Sequence, residues 1–412
     1  MYILGANTFA QTMSAPPFRD SLHPDSAGNA TVPVEPDEAK RYARQMRLPQ
    51  LGAAGQSRLK NASILIVGAG GLGSPAAMYL AAAGVGHIGI ADDDAVDLTN
   101  LHRQLLHTTA DVGRPKTDSA RETIAGINPH VRVSAISERI TAGNALELVS
   151  GYDVVIDGTD NFPTRYLLND ACVIVGKPLV YGSVDRFDGQ VSVFSTSDGP
   201  CYRCLFPSPP APGTVQNCAD AGVLGVLPGL IGILQATEAL KLLLGLGDSL
   251  AGRLLLVDTL HMRFRSIAIE RDPECPVCGT RELCALIDYE GFCAQAGNDV
   301  EDDDMVMAGT IVPTDLSNSL NTGESVVLID VREPDEWAIG RIPSARLMPL
   351  GTMPEAADAL DRAADIVVYC HHGSRSHAAA HMLVEAGFTH VRNLVGGIDR
   401  WSREVDPRVP RY

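Results

Sequence analysis

Between Ser63 and about Ile156 the chain alternates short β-rich apolar runs with helical stretches: Ile64-Leu65-Ile66-Val67, His87-Ile88-Gly89-Ile90, Val131-Arg132-Val133 and Val154-Val155-Ile156. Strands that arrive singly between helices predict a doubly wound, Rossmann-like α/β sheet. Further runs at Leu179 to Tyr181, Gln190 to Phe194, Leu254 to Val257 and Phe264 to Ile269, with a helix from Leu230 to Leu244, extend this domain over residues 38–295. The segment Asp299-Val300-Glu301-Asp302-Asp303-Asp304 then places five acids in six positions with no apolar period. That is the pattern of a solvated linker, here 296–310. Beyond it, strands at Val326 to Ile329, Ile366 to Tyr369 and Val391 to Leu394, with a helix at Ser376 to Glu385, predict a second, smaller α/β domain over 311–412.

Composition narrows the class without changing this layout. A chain of 412 residues has room for two or three domains. Residues 1–37 are rich in Ser, Pro, Ala and Asn and lack a basic start followed by an apolar core, so they read as a disordered tail, not a signal peptide. The net charge of −17 argues against nucleic acid or an acidic membrane as partner. Nine cysteines, several in apolar runs, fit a reducing cytoplasm. The long uncharged, apolar stretch Ala221 to Thr237 contains Pro228 and Gln235 and runs on into Glu238 and Lys241, so it is expected to be too short and broken for a membrane span and to form a buried helix.

The loop Gly68-Ala69-Gly70-Gly71-Leu72-Gly73 follows the strand Ile64 to Val67 and opens a helix at Ser74-Pro75. Glycines let a backbone approach phosphate, and the helix N-terminus offers N–H groups and a partial positive charge. Asp92 ends the next strand, where dinucleotide folds place a ribose-binding carboxylate. The loop alone fits NAD as well as ATP, so an NAD-dependent oxidoreductase stays open at this point, although no hydride-transfer His or Lys is evident. Arg103 and Lys116 add two cations that suit a triphosphate and not a nicotinamide. Asp157-Gly158-Thr159-Asp160-Asn161 follows the strand ending at Ile156, and carboxylates at that end of a parallel strand suit Mg2+ or nucleotide contacts.

At Arg41-Tyr42-Ala43-Arg44-Gln45, Gly68 to Ser74, Asp92, Asn100 to Gln104, Lys116 and Thr159-Asp160-Asn161 the chain resembles the ubiquitin-activating superfamily, most closely adenylyltransferases of ubiquitin-like sulfur carriers. The resemblance spans residues 38–280. It implies ATP contacts by Gly71, Asp92, Thr99, Asn100, Leu101, His102, Arg103, Lys116, Asp160 and Asn161. It also implies a homodimer in which Arg44 reaches the neighbouring subunit's nucleotide.

Cys201-Tyr202-Arg203-Cys204 and Cys275-Pro276-Val277-Cys278 are two C-x-x-C hooks, able to offer four thiolates to a tetrahedral Zn2+ or to act as redox pairs. Their separation is wider than in a compact zinc ribbon; the resemblance implies structural zinc at these places. Cys218 sits in the polar loop Asn217 to Gly222, where a thiol is accessible or simply a spare small residue. The resemblance implies that it bonds transiently to the carrier or resolves a disulfide. Cys172, Cys284 and Cys293 read as packing residues.

Near the end, Cys370-His371-His372-Gly373-Ser374-Arg375 lies between a strand and a helix, so the sulfur faces loop N–H groups and a helix N-terminus, with Arg375 adding positive charge. Leu328 to Glu333, Gly340-Arg341-Ile342-Pro343, this cradle and Leu394-Val395-Gly396-Gly397-Ile398 through Trp401 resemble single-domain rhodaneses over 311–405. Arg341 and Ser344 stand where the family often has His and Gly. The six-residue loop is one residue shorter than in related phosphatases, which favours sulfur transfer. Together the two resemblances imply ATP-dependent adenylation of a carrier's C-terminal Gly-Gly carboxylate, then attack by a Cys370 persulfide. Arg103, Lys116, Asp160 and Arg44 would serve the first step, and Cys370, Arg375 and Cys218 the second. The sulfur donor would be a cysteine desulfurase persulfide or thiosulfate, and the carrier one serving molybdopterin, thiamine, cysteine or tRNA thiolation.

Overall fold

A computed structural model describes residues 33–197, 199–210, 222–295, 309–322, 325–353, 357, 360–371 and 373–411. Eight strands build the first sheet: β1 (Ser63–Val67), β2 (His87–Ala91), β3 (Arg132–Ile136), β4 (Val154–Asp157), β5 (Leu179–Asp185), β6 (Asp188–Phe194), β7 (Arg253–Asp258) and β8 (Arg263–Ala268). Their order is β3-β2-β1-β4-β5-β6-β7-β8. The first five are parallel, and β5 to β8 continue as an antiparallel meander.

Period-two alternation explains why β1 is apolar throughout. Ile64 and Ile66 face one core, with the helices Gly73–Ala83 and Val226–Leu244, while Leu65 and Val67 face a second core, with Ala145–Ser150 and Phe162–Val175. Both faces are covered, as a parallel sheet requires. The helix Val226–Leu244 starts four residues before the point expected from the sequence (226 against 230) and is, by length and composition, able to cross a membrane, which corrects the expectation that this stretch is too short. Here it is a core helix: Leu227, Ile231, Ala236, Ala239 and Leu242 pack into the first core. Its buried Gln235 donates Nε2–H to the carbonyls of Asp157 (2.7 Å) and Val180 (3.1 Å), tying the helix to β4 and β5.

The second sheet is wholly parallel, with β9 (Gly309–Ile311), β10 (Val326–Asp330), β11 (Arg346–Leu347), β12 (Asp365–Tyr369) and β13 (Val391–Leu394) in the order β11-β10-β12-β13-β9. Gly309 and Thr310 therefore belong to a strand and not to the acidic segment before it. A three-residue strand paired at the sheet edge leaves too little period for the sequence to show it. Helices Ser374–Glu385 and Gly397–Glu404 cover opposite faces, the first over Ile366 and Val368, the second over Val367 and Tyr369.

Candidate functional site

Strand order reverses at β1, whose neighbours β2 and β4 take the chain to opposite sides, so a crevice opens at the carboxyl ends of β1 and β4. The glycine loop lies there. Gly68 has φ +95°, and a Cβ on it would stand 2.6 Å from the Gly158 carbonyl oxygen; a Cβ on Gly73 would collide with the Gly68 carbonyl. Only glycine lets the loop, the exit of β4 and the helix Gly73–Ala83 meet this closely. The cavity above them measures about 770 Å³ and is lined by Gly68, Gly70, Gly71, Asp92, Arg103, Lys116, Asp160 and Asn161, among others.

Asp92 Oδ2 accepts from the Ala69 N–H at 2.7 Å and Oδ1 from the Asp94 N–H at 2.9 Å, so the carboxylate braces the loop. Burial pushes its pKa above the ordinary carboxylate value, and Lys116 opposes that rise. The buried Lys116 Nζ sits 3.7 Å from Asp92 and donates to Asp94 at 2.7 Å. Arg103 turns back to the Thr99 carbonyl at 3.0 Å. Asp160 is exposed at the cavity rim. Asn161 lines the cavity, and its Oδ1 caps the helix Phe162–Val175 by accepting from Thr164 N–H at 3.0 Å.

Thr99, Asn100, Leu101 and His102 form a short 3-10 turn and its exit and do not line the cavity; Asn100 Oδ1 is engaged at 3.3 Å by the Asp97 N–H. Arg44 is exposed on the turn Ala43–Met46 and is also absent from the lining. Cys218 lies outside the described residues.

One lining residue, Arg165, is not among those the sequence singles out. Arg165 is buried, stacks over the rings of Phe162 and Tyr181 (5.8 and 5.5 Å to the centroids) and donates to the Thr159 carbonyl at 3.0 Å. Its partner Asp157 accepts at Oδ1 from the N–H and hydroxyl of Thr159 (2.9 and 2.6 Å), while Oδ2 lies 3.7 Å from Arg165 Nε. Burial raises the Asp157 pKa, against the pull of Arg165. A charged residue in the apolar helix Phe162–Val175 was the available signal.

The two cysteine hooks close on each other despite their distance in sequence. Cys201 Sγ lies 3.6 Å from Cys275 Sγ and 3.9 Å from Cys204 Sγ, and Cys204 lies 3.3 Å from Cys278. Four sulfurs around a Zn2+ with Zn–S of about 2.3 Å would stand about 3.8 Å apart, so the set fits tetrahedral zinc. Hydrogen bonds from its neighbours hold Cys204 well below the ordinary thiol value. Arg203, inside the first hook, makes a buried two-point ion pair with Asp170 (2.9 and 2.8 Å), to which Tyr289 also donates at 2.8 Å. Of the remaining thiols, Cys172 is buried and Cys293 half-buried, but Cys284 is exposed, which corrects its reading as a packing residue.

In the second domain Cys370 leaves β12 and is buried beneath the loop. Gly373 N–H donates to its Sγ at 3.1 Å. The start of the helix Gly397–Glu404 backs the loop, with N–H groups of Ile398 and Asp399 donating to the Cys370 and His371 carbonyls at 2.9 and 3.1 Å. Arg375 was expected to lend the cradle a full positive charge; instead its guanidinium is buried in a two-point ion pair with Glu336 (2.6 and 2.8 Å). The pair cancels much of that charge and pins the loop to the helix Pro334–Ile339.

A glycine loop at the switch point of a doubly wound sheet, followed by a parallel domain presenting a cysteine before a helix, defines a nucleotide-binding domain joined to a sulfur-handling one. Residues 42–277 match the model of the ThiF family and residues 312–404 that of the rhodanese-like domain. The chain belongs to the ThiF family and carries a rhodanese-like domain at its C-terminal end. It is 45% identical over 383 residues to the probable adenylyltransferase/sulfurtransferase MoeZ of Mycobacterium tuberculosis, covering 91% of this chain and 96% of that protein. The adenylyltransferase and sulfurtransferase MOCS3 of Culex quinquefasciatus is 42% identical, with 93% and 92% covered. A sulfur carrier protein adenylyltransferase of Thermus thermophilus is 56% identical over 62% of this chain and 97% of its own. The crystal structure of E. coli MccB with MccA-N7isoASN shares the fold of the first part, at TM-score 0.53 and 23% identity over 59% of this chain and 75% of that one. The protein is an enzyme with an adenylyltransferase and a sulfurtransferase component, and its first domain uses ATP.

Proposed function

We propose that this enzyme adenylates the C-terminal Gly-Gly carboxylate of a ubiquitin-like sulfur-carrier protein and then converts it to a thiocarboxylate. The observation that supports this most is the presence on one chain of a cation-lined cavity at the sheet switch point and a cysteine cradle held by N–H groups. Relatives named as adenylyltransferase/sulfurtransferase and as sulfur carrier protein adenylyltransferase point the same way, and the oxidoreductase alternative finds no support among them.

In the first step a carboxylate oxygen of the carrier attacks the α-phosphorus of ATP and pyrophosphate leaves. Arg103 and Lys116 offset the charge that develops on phosphate. Asp160, exposed at the rim, would hold Mg2+, whose charge would neutralise phosphate oxygens. Arg44, exposed and away from its own cavity, fits a homodimer in which it serves the other subunit. Exposed Tyr79, Leu98 and Leu105 are apolar surface consistent with such an interface. The four clustered cysteines would hold structural Zn2+, bracing the fold without joining the reaction.

In the second step the terminal sulfur of a Cys370 persulfide attacks the acyl carbon and AMP departs, leaving an acyl disulfide. Thiolate attack by Cys218 on the Cys370 sulfur releases the carrier thiocarboxylate and leaves a Cys218–Cys370 disulfide, which a small thiol or thioredoxin-like reductant returns to thiols. The cradle is reloaded by a cysteine desulfurase persulfide or by thiosulfate, in the cytoplasm. Mass spectrometry of candidate carriers from molybdopterin, thiamine, cysteine or tRNA thiolation systems, after incubation with enzyme, ATP and thiosulfate, tests the reading. A mass gain equal to exchanging one oxygen for sulfur supports it; carriers left unchanged in every case would refute it.

A further inference from the structure

Behind the cradle sulfur lies a polar pair that the transfer steps do not use. Ser376, fully buried in the first turn of the helix Ser374–Glu385, has its Oγ 2.7 Å from Asn393 Oδ1, 3.1 Å from the Gly373 carbonyl and 3.4 Å from Cys370 Sγ. Asn393, at the end of β13, is itself held: its Nδ2–H donates to the Gly373 carbonyl at 3.2 Å, which leaves Oδ1 for the hydroxyl. A hydroxyl has one hydrogen to give and two lone pairs to offer, and three acceptors surround this one.

The preferred acceptor depends on the sulfur. Facing a neutral thiol, the hydroxyl donates to Asn393 Oδ1, its nearest acceptor, and its own oxygen can take the S–H. Facing the thiolate, it gains a charge-assisted bond about twice as strong as a neutral one by turning to sulfur. We propose that Ser376 and Asn393 are positioning residues for sulfur transfer, forming a hydroxyl rotor parked on the amide that turns onto the Cys370 sulfur when it carries negative charge. The inference rests on Cys370 being the reactive sulfur. Other titratable or charged groups on the elements packed around the loop are Arg375 with Glu336, His371, half-buried His377 and, on the backing helix, Asp399 and Arg400. All of them remain in the variants below, so differences between profiles belong to the rotor.

The test is the rate of iodoacetamide alkylation at Cys370 in the full chain, read at that peptide by mass spectrometry across pH. Ser376→Ala moves the profile about one pH unit higher, so that alkylation at neutral pH slows roughly tenfold. Ser376→Thr, which keeps the hydroxyl, restores the original profile. Asn393→Leu, which removes the parking acceptor without adding charge, moves it the opposite way to Ser376→Ala, which keeps the test alive should the alanine variant fold poorly. Profiles of Ser376→Ala and Asn393→Leu that superimpose on the parent, or a shift that Ser376→Thr does not reverse, overturn the rotor. A shifted profile in an enzyme that thiolates no carrier would instead leave the rotor standing and remove the proposed function.

Discussion

His107 shows how a single side chain supports the nucleotide loop from behind. Its Nε2 lies 3.1 Å from the Ala69 carbonyl and its Nδ1 2.9 Å from Ser119 Oγ, in a buried pocket. Burial, reinforced by Lys116, holds its pKa below the ordinary imidazole value despite the favourable contact to Ala69. The unfolded chain therefore takes up this proton at a higher pH than the folded one. Stability is undiminished above about pH 6.5 and falls as pH drops below it, levelling only below the depressed folded value. Urea unfolding midpoints at pH 7 and pH 5 should differ less in His107→Asn than in the parent; equal differences would contradict the assignment. Gly73→Ala makes a harsher test at the same scale, because its methyl would collide with the Gly68 carbonyl. A loss of adenylation of at least a hundredfold is expected in an otherwise folded protein, measured as carrier-dependent AMP release.

At the scale of elements, the cysteine cluster is connected to the nucleotide cavity through Arg203 and Asp170. Asp170 lies on the helix Phe162–Val175, whose N-terminus carries Asn161 beside Asp160. Zinc loss should thus weaken both fold and site. Cys275→Ser should release one zinc per chain, measured by metal analysis, and lower the melting temperature of the first domain by about 10 °C, the size expected when roughly 3 kcal/mol is lost from a domain of this length. An unchanged melting temperature in zinc-free protein would count against a structural role. The sequence exposed much of this level because it is written in local pattern. Apolar runs between helices marked β1 to β7, and the six-residue spacing of the cradle placed Cys370 between strand and helix. It also marked β8 at Phe264 to Ile269, although Arg263 to Ala268 is exposed along its whole length, and it left out β9 and β11, which at three and two residues are too short to show a period. It also hid what depends on two distant segments meeting: the Arg375–Glu336 pair, the Asp157–Arg165 pair and the meeting of Ser376 with Asn393 have no sequence spacing that announces them.

For the whole molecule, the central claim is a division of labour: the first domain makes the acyl adenylate alone, and the second supplies sulfur only afterwards. Each domain has its own sheet and its own hydrophobic cores, which makes the two activities separable by substitution. The most direct measurement is ATP–pyrophosphate exchange dependent on the carrier, made on three full-length proteins: the parent, Asp160→Ala and Cys370→Ala. The account predicts exchange at parental rate in Cys370→Ala with no thiocarboxylate formed, and exchange reduced at least a hundredfold in Asp160→Ala. Exchange lost in both variants, or surviving in Asp160→Ala, would contradict it.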